Sequence, residues 1–376
     1  MGYLRILLAL SVAVGHVPSG LYGASASDST IIFVGAIVAV KLFFIISGFY
    51  MAMIFHKHYS TASLFLVSRA VRLFPAYWLT MAFCIVAVLW FRSPNIAPGL
   101  NLDFWYFVRD PVPLFLFAIS NLTFVGIDFS HFLCFQPAAM GHILFVWSLP
   151  CPDGQMLLLS GGAVVQPAWT LSLEWYFYLL VPLFCSLPTR RIAVVAACSF
   201  LLAVFISVFA NVNPWYRAFF PAELYLFLLG FLAYRLKHLI PRAIGGACAA
   251  IIIVAILAYQ HIPVFEWQNP AGTNFVLYLV FALALPTLFE IGSQIPGERL
   301  AGDLSYPMYI CHLPVESVIW ALLLHERMSL FTWVAANVLM VGLASALLLV
   351  ATAPIEKFRL RFKSAETRAP PSARLA

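Results

Sequence analysis

Long apolar segments alternate with short polar ones along the chain. Ten of the apolar segments approach the roughly 20 residues that a helix needs to cross a bilayer. They cover 3–22, 31–55, 74–92, 169–187, 191–211, 218–236, 242–260, 273–292, 305–324 and 330–353. A further apolar run at 112–127 is shorter and is bounded by Pro111 and Pro113. The pattern predicts an all-α fold, a polytopic membrane helix bundle of about ten transmembrane helices, with an extra re-entrant or interfacial helix at 112–127.

The composition also indicates a protein embedded in the lipid bilayer. The 376 residues are 63% hydrophobic and 10% charged, with a mean hydropathy of +0.95, whereas a soluble domain carries about 25% charged residues. We expect one transmembrane domain over 1–360 and a basic, disordered cytoplasmic tail over 361–376. The first apolar run lacks a small-residue cleavage site, which favours a signal anchor over a cleaved signal peptide.

The basic residues predict the orientation of the helices. The net charge of +6 could suggest a nucleic-acid ligand, but the basic residues form short clusters at helix ends, as membrane topology requires. These clusters share one side if both termini are cytoplasmic. The segment 93–168 then begins and ends outside and holds zero or two crossings. The run at 112–127 is therefore either a re-entrant or interfacial helix, which we favour, or half of an eleventh-plus-twelfth pair. The two cysteines of the segment 93–168, Cys134 and Cys151, either form a disulfide or remain free thiols.

Several ionisable residues interrupt the apolar segments. Arg5 and His16 are eleven residues apart, roughly 16 Å along a helix. Arg5 is either a topology signal or part of a ligand path, and His16 is either a functional imidazole or a hydrogen-bonded packing residue. Arg69 and Arg72 share a helix face, where they either grip phosphate groups or signal topology. Glu174 lies about one turn into its predicted helix, where a carboxylate needs a partner or a water-filled cavity.

Together these residues predict a polar cavity inside the bundle, with its basic end toward the cytoplasm. No cluster has the spacing of a metal site, and there is no glycine-rich phosphate loop. Aromatic residues near Glu174 form either an interfacial belt or a sugar platform. The further candidates for lining the cavity are Lys41, Ser47, Trp169, Tyr178, Ser305, Tyr309 and His312.

Six motifs in order give the chain a family resemblance. They are "LRILLALSVAVGH", "LFFIISGF", "RAVR" followed by "LFPAYW", "WTLSLEWYFYLLVPLF", "LSYPMYICHLPV" and "IEKFRL". This series resembles the membrane-bound acyltransferase-3 family of bacterial surface-carbohydrate O-acyltransferases, over residues 3 to 360, and in outline the short exopolysaccharide-modifying type. One departure is Lys41, at a position where the family often has an acid, which puts the pore mouth and the preferred acyl donor in question.

The resemblance implies an O-acyltransferase of the bacterial inner membrane. It would move an acyl group, by default acetyl, from cytoplasmic acyl-CoA to a hydroxyl of a cell-surface glycan or its lipid-linked precursor, with no tightly bound cofactor. Arg5, Arg69 and Arg72 would bind the CoA end. His16 would act as general base or acyl relay, a role that suits imidazole because its pKa lies near neutrality. Glu174 would be a second polar residue of the active region.

Two other classes of function share some of these features. A glycan transporter or flippase would also have ten helices and a polar cavity, but the chain shows no repeated halves. A non-catalytic membrane scaffold would tolerate substitution of its buried ionisable residues, although their desolvation is costly.

Overall fold

Each of the ten apolar segments contains a helix among its described residues. The structure, a computed structural model, describes residues 1–15, 34–91, 111–136, 142–146, 151, 157–158, 162–209, 215–258, 274–322 and 330–359. The predicted tail at 361–376 lies outside these residues. The main helices are α1 (Gly2–Val14), α2 (Ala36–His58), α3 (Ala62–Phe91), α4 (Pro111–Thr123), α5 (Trp169–Ser186), α6 (Thr189–Phe209), α7 (Phe220–Arg235), α8 (Arg242–Ala258), α9 (Phe275–Ser293), α10 (Glu298–Leu322) and α11 (Leu330–Arg359).

The all-α membrane fold is confirmed. Within the described ranges, α2, α3, α5, α6, α9 and α11 are long and apolar enough to cross a membrane. Their outer faces carry large exposed apolar side chains such as Leu89, Phe209 and Leu347, which would be unfavourable in water. The described parts of α1, α7 and α8 are shorter, and α10 is more polar because its first turns carry Glu298 and Asp303. The total of ten crossings therefore stays a prediction.

The segment between α3 and α5 contains a short helix and a small sheet. Helix α4 has 13 residues, about 20 Å, which is shorter than a hydrocarbon core of about 30 Å. Strands β1 (Leu133–Gln136), β2 (His142–Phe145) and β3 (Leu157–Leu158) form an antiparallel sheet in the order β2-β1-β3, which the apolar pattern did not predict. Cys134 and Cys151 form a disulfide with a Cα–Cα distance of 6.0 Å, so the first of the two alternatives holds.

Two groups of helices build the bundle. Helices α5, α7 and α9 pack against α2, while α6 packs against α7 and α8 against α9. Helices α1, α3 and α11 pack around α10, and α1 also contacts α2. The closest crossing joins α2 and α7, where a Cβ on Gly48 would lie 1.8 Å from the carbonyl oxygen of Phe227, and one on Gly230 would lie 1.8 Å from that of Ile45. Only glycine permits this backbone approach. The crossing holds α2 as one wall of the space between the two groups.

Helix α5 fixes the residues that follow α4. The Ser172 hydroxyl donates to the Phe124 carbonyl, and the Tyr176 hydroxyl accepts from the Gly126 amide and donates to Asp128 Oδ1 at 3.0 Å. Burial raises the pKa of Asp128 from its ordinary value of 3.8 to about 6, although the Tyr176 hydrogen bond works in the opposite direction. At neutral pH the folded protein therefore holds a poorly solvated carboxylate.

This carboxylate should lower stability as the pH rises from about 4 to about 6, because in that range the folded state binds a proton that the unfolded chain has lost. Asp128→Asn removes the titration. We expect a higher melting temperature at about pH 8 and a smaller difference between about pH 5 and about pH 8 than in the unmodified protein. Thermal unfolding in detergent measures both. Glu290→Gln, at an exposed position, is the control, and an identical pH profile for Asp128→Asn would contradict the account.

Candidate active site

A cavity of about 620 Å³ lies between the two groups of helices. Its walls come from α1, α2, α3, α5 and α10, and its mouth from the first residues of α1 and α10 and the last residue of α11. The mouth is on the side of the bundle where the basic clusters at the helix ends lie, which was predicted to face the cytoplasm. Eight of the predicted site residues line this cavity. They are Arg5, Ser47, Arg69, Arg72, Glu174, Tyr178, Ser305 and Tyr309.

Three guanidinium groups line the cavity near its mouth. Helix α3 begins more than three turns before the predicted start at residue 74, so Arg69 and Arg72 lie within it and share its inner face. Arg5 comes from α1 and interacts electrostatically with Arg72 and Glu174. Among the described residues, the side chains of Arg5 and Arg72 make no hydrogen bond and no ion pair. Arg69 is 4% exposed, and its Nη2 donates to the Tyr59 hydroxyl at 2.8 Å.

Glu174 lies deeper in the same cavity, held by two hydroxyl groups. Ser47 of α2 donates to Glu174 Oε1 at 2.9 Å, and Tyr178, one turn along α5, donates to the same oxygen. Within the described ranges Oε2 accepts no hydrogen bond. The protein therefore fixes Oε1 by hydrogen bonds, while Oε2 remains able to accept a hydrogen bond from another group.

Helix α10 closes the end of the cavity opposite the mouth. The hydroxyls of Tyr309 and Thr170 are 2.8 Å apart, so α10 and α5 meet there. Ser305 donates to the Gly302 carbonyl at 2.8 Å and Tyr306 to the Leu73 carbonyl at 2.7 Å. The cavity is thus a pocket with a basic mouth and a wall of hydroxyl groups.

Three predicted lining residues lie elsewhere. Lys41 points away from the cavity, and its Nζ pairs with Glu223 Oε1 of α7 at 3.1 Å, with both side chains 3% exposed. The prediction that it lines the pore is wrong, because a separation of six positions along the helix turns the side chains of Lys41 and Ser47 about 120° apart. His312 is buried, with Nδ1 2.6 Å from the Tyr309 carbonyl oxygen, and Trp169 is not among the lining residues. His16 lies outside the described residues.

Several residues of the wall were not among the predicted candidates. Tyr50, Tyr59, Thr170 and Arg359 line the cavity, and none was a candidate. Arg359 belongs to the motif "IEKFRL", which was a signal that could have included it. Thr170 likewise belongs to the motif "WTLSLEWYFYLLVPLF". Tyr50 and Tyr59 had no signal, because their role depends on which helices meet.

Comparisons with known proteins agree with the motifs. The family model described as an acyltransferase domain, acyltransferase 3, matches residues 1–351. The chain belongs to the acyltransferase-3 family. It is a membrane acyltransferase, which decides against the transporter and scaffold interpretations. It is similar to nodulation protein 10 of Rhizobium leguminosarum bv. viciae, with 24% identity over 340 residues, covering 85% of this chain and 83% of that protein. No solved structure matches it.

Proposed function

We propose that the cavity transfers an acyl group, by default acetyl, from acyl-CoA to a hydroxyl of a cell-surface glycan or its lipid-linked precursor. The main support for this proposal is that one cavity contains three arginines near its mouth and a carboxylate deeper inside. The enzyme would lie in the bacterial inner membrane with both termini, and the mouth, on the cytoplasmic side, as the distribution of basic residues predicts.

The arginines suit the CoA end of the acyl donor. Arg5 and Arg72 carry charges that no described side chain neutralises in an ion pair, and the Nε of buried Arg69 has no hydrogen-bond partner among the described residues. A buried N–H group without a partner is costly. Guanidinium groups bind phosphate through charge-assisted, often bidentate hydrogen bonds, and CoA carries several phosphates.

The residues around Glu174 suit the transfer step. An alcohol is a poor nucleophile until a base removes its proton. In the proposed reaction His16 takes that proton as the hydroxyl oxygen attacks the thioester carbonyl. The C–S bond then breaks, the CoA thiolate leaves and receives a proton, and the product is an ester. Glu174 would orient the imidazole and stabilise its charge through Oε2, as the carboxylate of a catalytic triad does.

The glycan acceptor is supported by the motif resemblance. The acceptor hydroxyl would bind at the inner end of the cavity near Tyr309 and Thr170, away from the CoA phosphates. The attacking oxygen and the departing CoA sulfur would then lie on different sides of the thioester carbon.

The double variant Arg69→Gln and Arg72→Gln tests the acyl-donor site. We expect the apparent KM for acetyl-CoA to rise by about 10- to 100-fold, because two charge-assisted contacts with phosphate are lost. Acyl transfer by purified protein in lipid nanodiscs measures this. The matched control is Arg190→Gln with Arg191→Gln, two exposed arginines at the start of α6. An unchanged KM in the cavity variant would remove these arginines from acyl-donor binding.

A further inference from the structure

The last residue of α11 adds another arginine to the mouth of the cavity. Arg359 is 6% exposed and lines the cavity wall. Its Nε donates to Glu356 Oε2 at 2.7 Å, and its Nη2 donates to Glu356 Oε1. Its Nη1 reaches the Ser68 hydroxyl of α3 at 3.4 Å. The end of α11 is therefore attached to the helix that carries Arg69 and Arg72.

Hydroxyl groups connect Arg359 to Arg69. The hydroxyls of Ser68 and Tyr59 are 2.8 Å apart, and Arg69 Nη2 donates to the Tyr59 hydroxyl at 2.8 Å. The network holds two buried guanidiniums side by side, although like charges repel. Glu356, with 38% of its side chain exposed, pairs only with Arg359 among the described residues, and Arg69 Nε stays unsatisfied there. Within the described part of the chain, the two guanidiniums of Arg69 and Arg359 therefore share a single carboxylate, that of Glu356.

The position of Arg69 and Arg359 in the cavity indicates which anion would bind them. Arg69 lies about one helical turn nearer the start of α3 than Arg72, and Arg359 ends α11, so both are closer to the mouth than Glu174. In an extended CoA thioester, the 3′-phosphate of the ribose is at the opposite end of the molecule from the acyl group. With the thioester at Glu174, the diphosphate would lie near Arg5 and Arg72, and the 3′-phosphate would reach the mouth.

We propose that Arg359 and Arg69 bind the 3′-phosphate of the acyl donor, and that Glu356 competes with this phosphate for Arg359. The inference rests on the proposed function, since it assumes a CoA thioester in the cavity. When the phosphate arrives, Nε and Nη2 of Arg359 exchange the carboxylate of Glu356 for phosphate oxygens, while the hydroxyls of Ser68 and Tyr59 keep the two guanidiniums in place. The pair thereby makes the enzyme selective for CoA over its dephosphorylated form.

The test compares acetyl-CoA with acetyl-dephospho-CoA as substrates of the full-length protein in nanodiscs. The unmodified enzyme should have a KM about tenfold lower for acetyl-CoA, the effect of one charge-assisted contact. Arg359→Gln should bring the ratio of the two KM values close to one. Glu356→Gln should increase the preference, because the competing carboxylate is gone. Lys357→Gln, an exposed neighbour, is the control and should keep the ratio of the unmodified enzyme.

Binding provides a readout that does not need turnover. By calorimetry, CoA should bind the unmodified protein more tightly than dephospho-CoA, and Glu356→Gln should widen that difference even if Arg359→Gln fails to fold. Equal KM values for both substrates, or a Glu356→Gln preference that is unchanged or reduced, would overturn the inference while leaving the proposed function intact. If neither substrate supports acyl transfer and neither nucleotide binds, the proposed function fails, and this inference fails with it.

Discussion

His16→Ala should reduce acyl transfer to the background rate while the protein remains in the membrane at its normal level. The prediction follows from the chemistry of the reaction, in which a hydroxyl must lose its proton at neutral pH and imidazole is the side chain with a suitable unperturbed pKa. If the imidazole is the base or the acyl relay, alanine leaves no group that can replace it. Product formation by mass spectrometry, together with quantification of the protein in membranes, measures the effect.

A second histidine supplies the control for this variant. His238 is exposed in the turn that follows α7, and His238→Ala should retain full activity. Retention of full activity in His16→Ala would exclude His16 from the mechanism.

Glu174→Gln should lower kcat by about 10²- to 10³-fold, comparable with the loss of one electrostatic contact in a transition state. Glutamine keeps the shape of the side chain and an oxygen for the Ser47 and Tyr178 hydroxyls, so its main effect is to remove the negative charge. The charge is needed if the imidazole becomes positive during the reaction. Steady-state kinetics of the purified protein measure the change in kcat separately from KM.

A smaller change tests how the carboxylate of Glu174 is held. Ser47→Ala removes one of the two hydrogen bonds to Oε1 and should cause a smaller loss than Glu174→Gln. A kcat of Glu174→Gln equal to that of the unmodified enzyme would exclude the carboxylate from the chemical step.

The helices could be predicted from sequence because each apolar segment has one stable form in a bilayer, a helix that satisfies its own backbone. The small sheet could not, since its strands are short and their pairing depends on contacts between distant segments. The disulfide was one of two alternatives for the same reason. Only the fold determines whether Cys134 and Cys151 meet.

Charged residues inside apolar segments indicated part of the cavity lining. Proximity in sequence to other candidates was a poor guide to which residues line the cavity. Arg5, Arg69, Arg72 and Glu174 come together in one cavity, as their intramembrane positions suggested. Lys41 has an equally costly charge, but its partner is Glu223, 182 residues away. Neighbours in sequence did not reveal which face of α2 it occupies.

The most direct test of acyl transfer through this cavity is mass spectrometry of the surface glycans from a strain that lacks the protein. We predict that the glycans lose the mass increment of one acetyl group per modified residue. The unmodified protein should restore this increment, whereas Glu174→Gln and the double variant of Arg69 and Arg72 should restore little of it. Fully acetylated glycans in the deletion strain, or full restoration by both variants, would contradict the account.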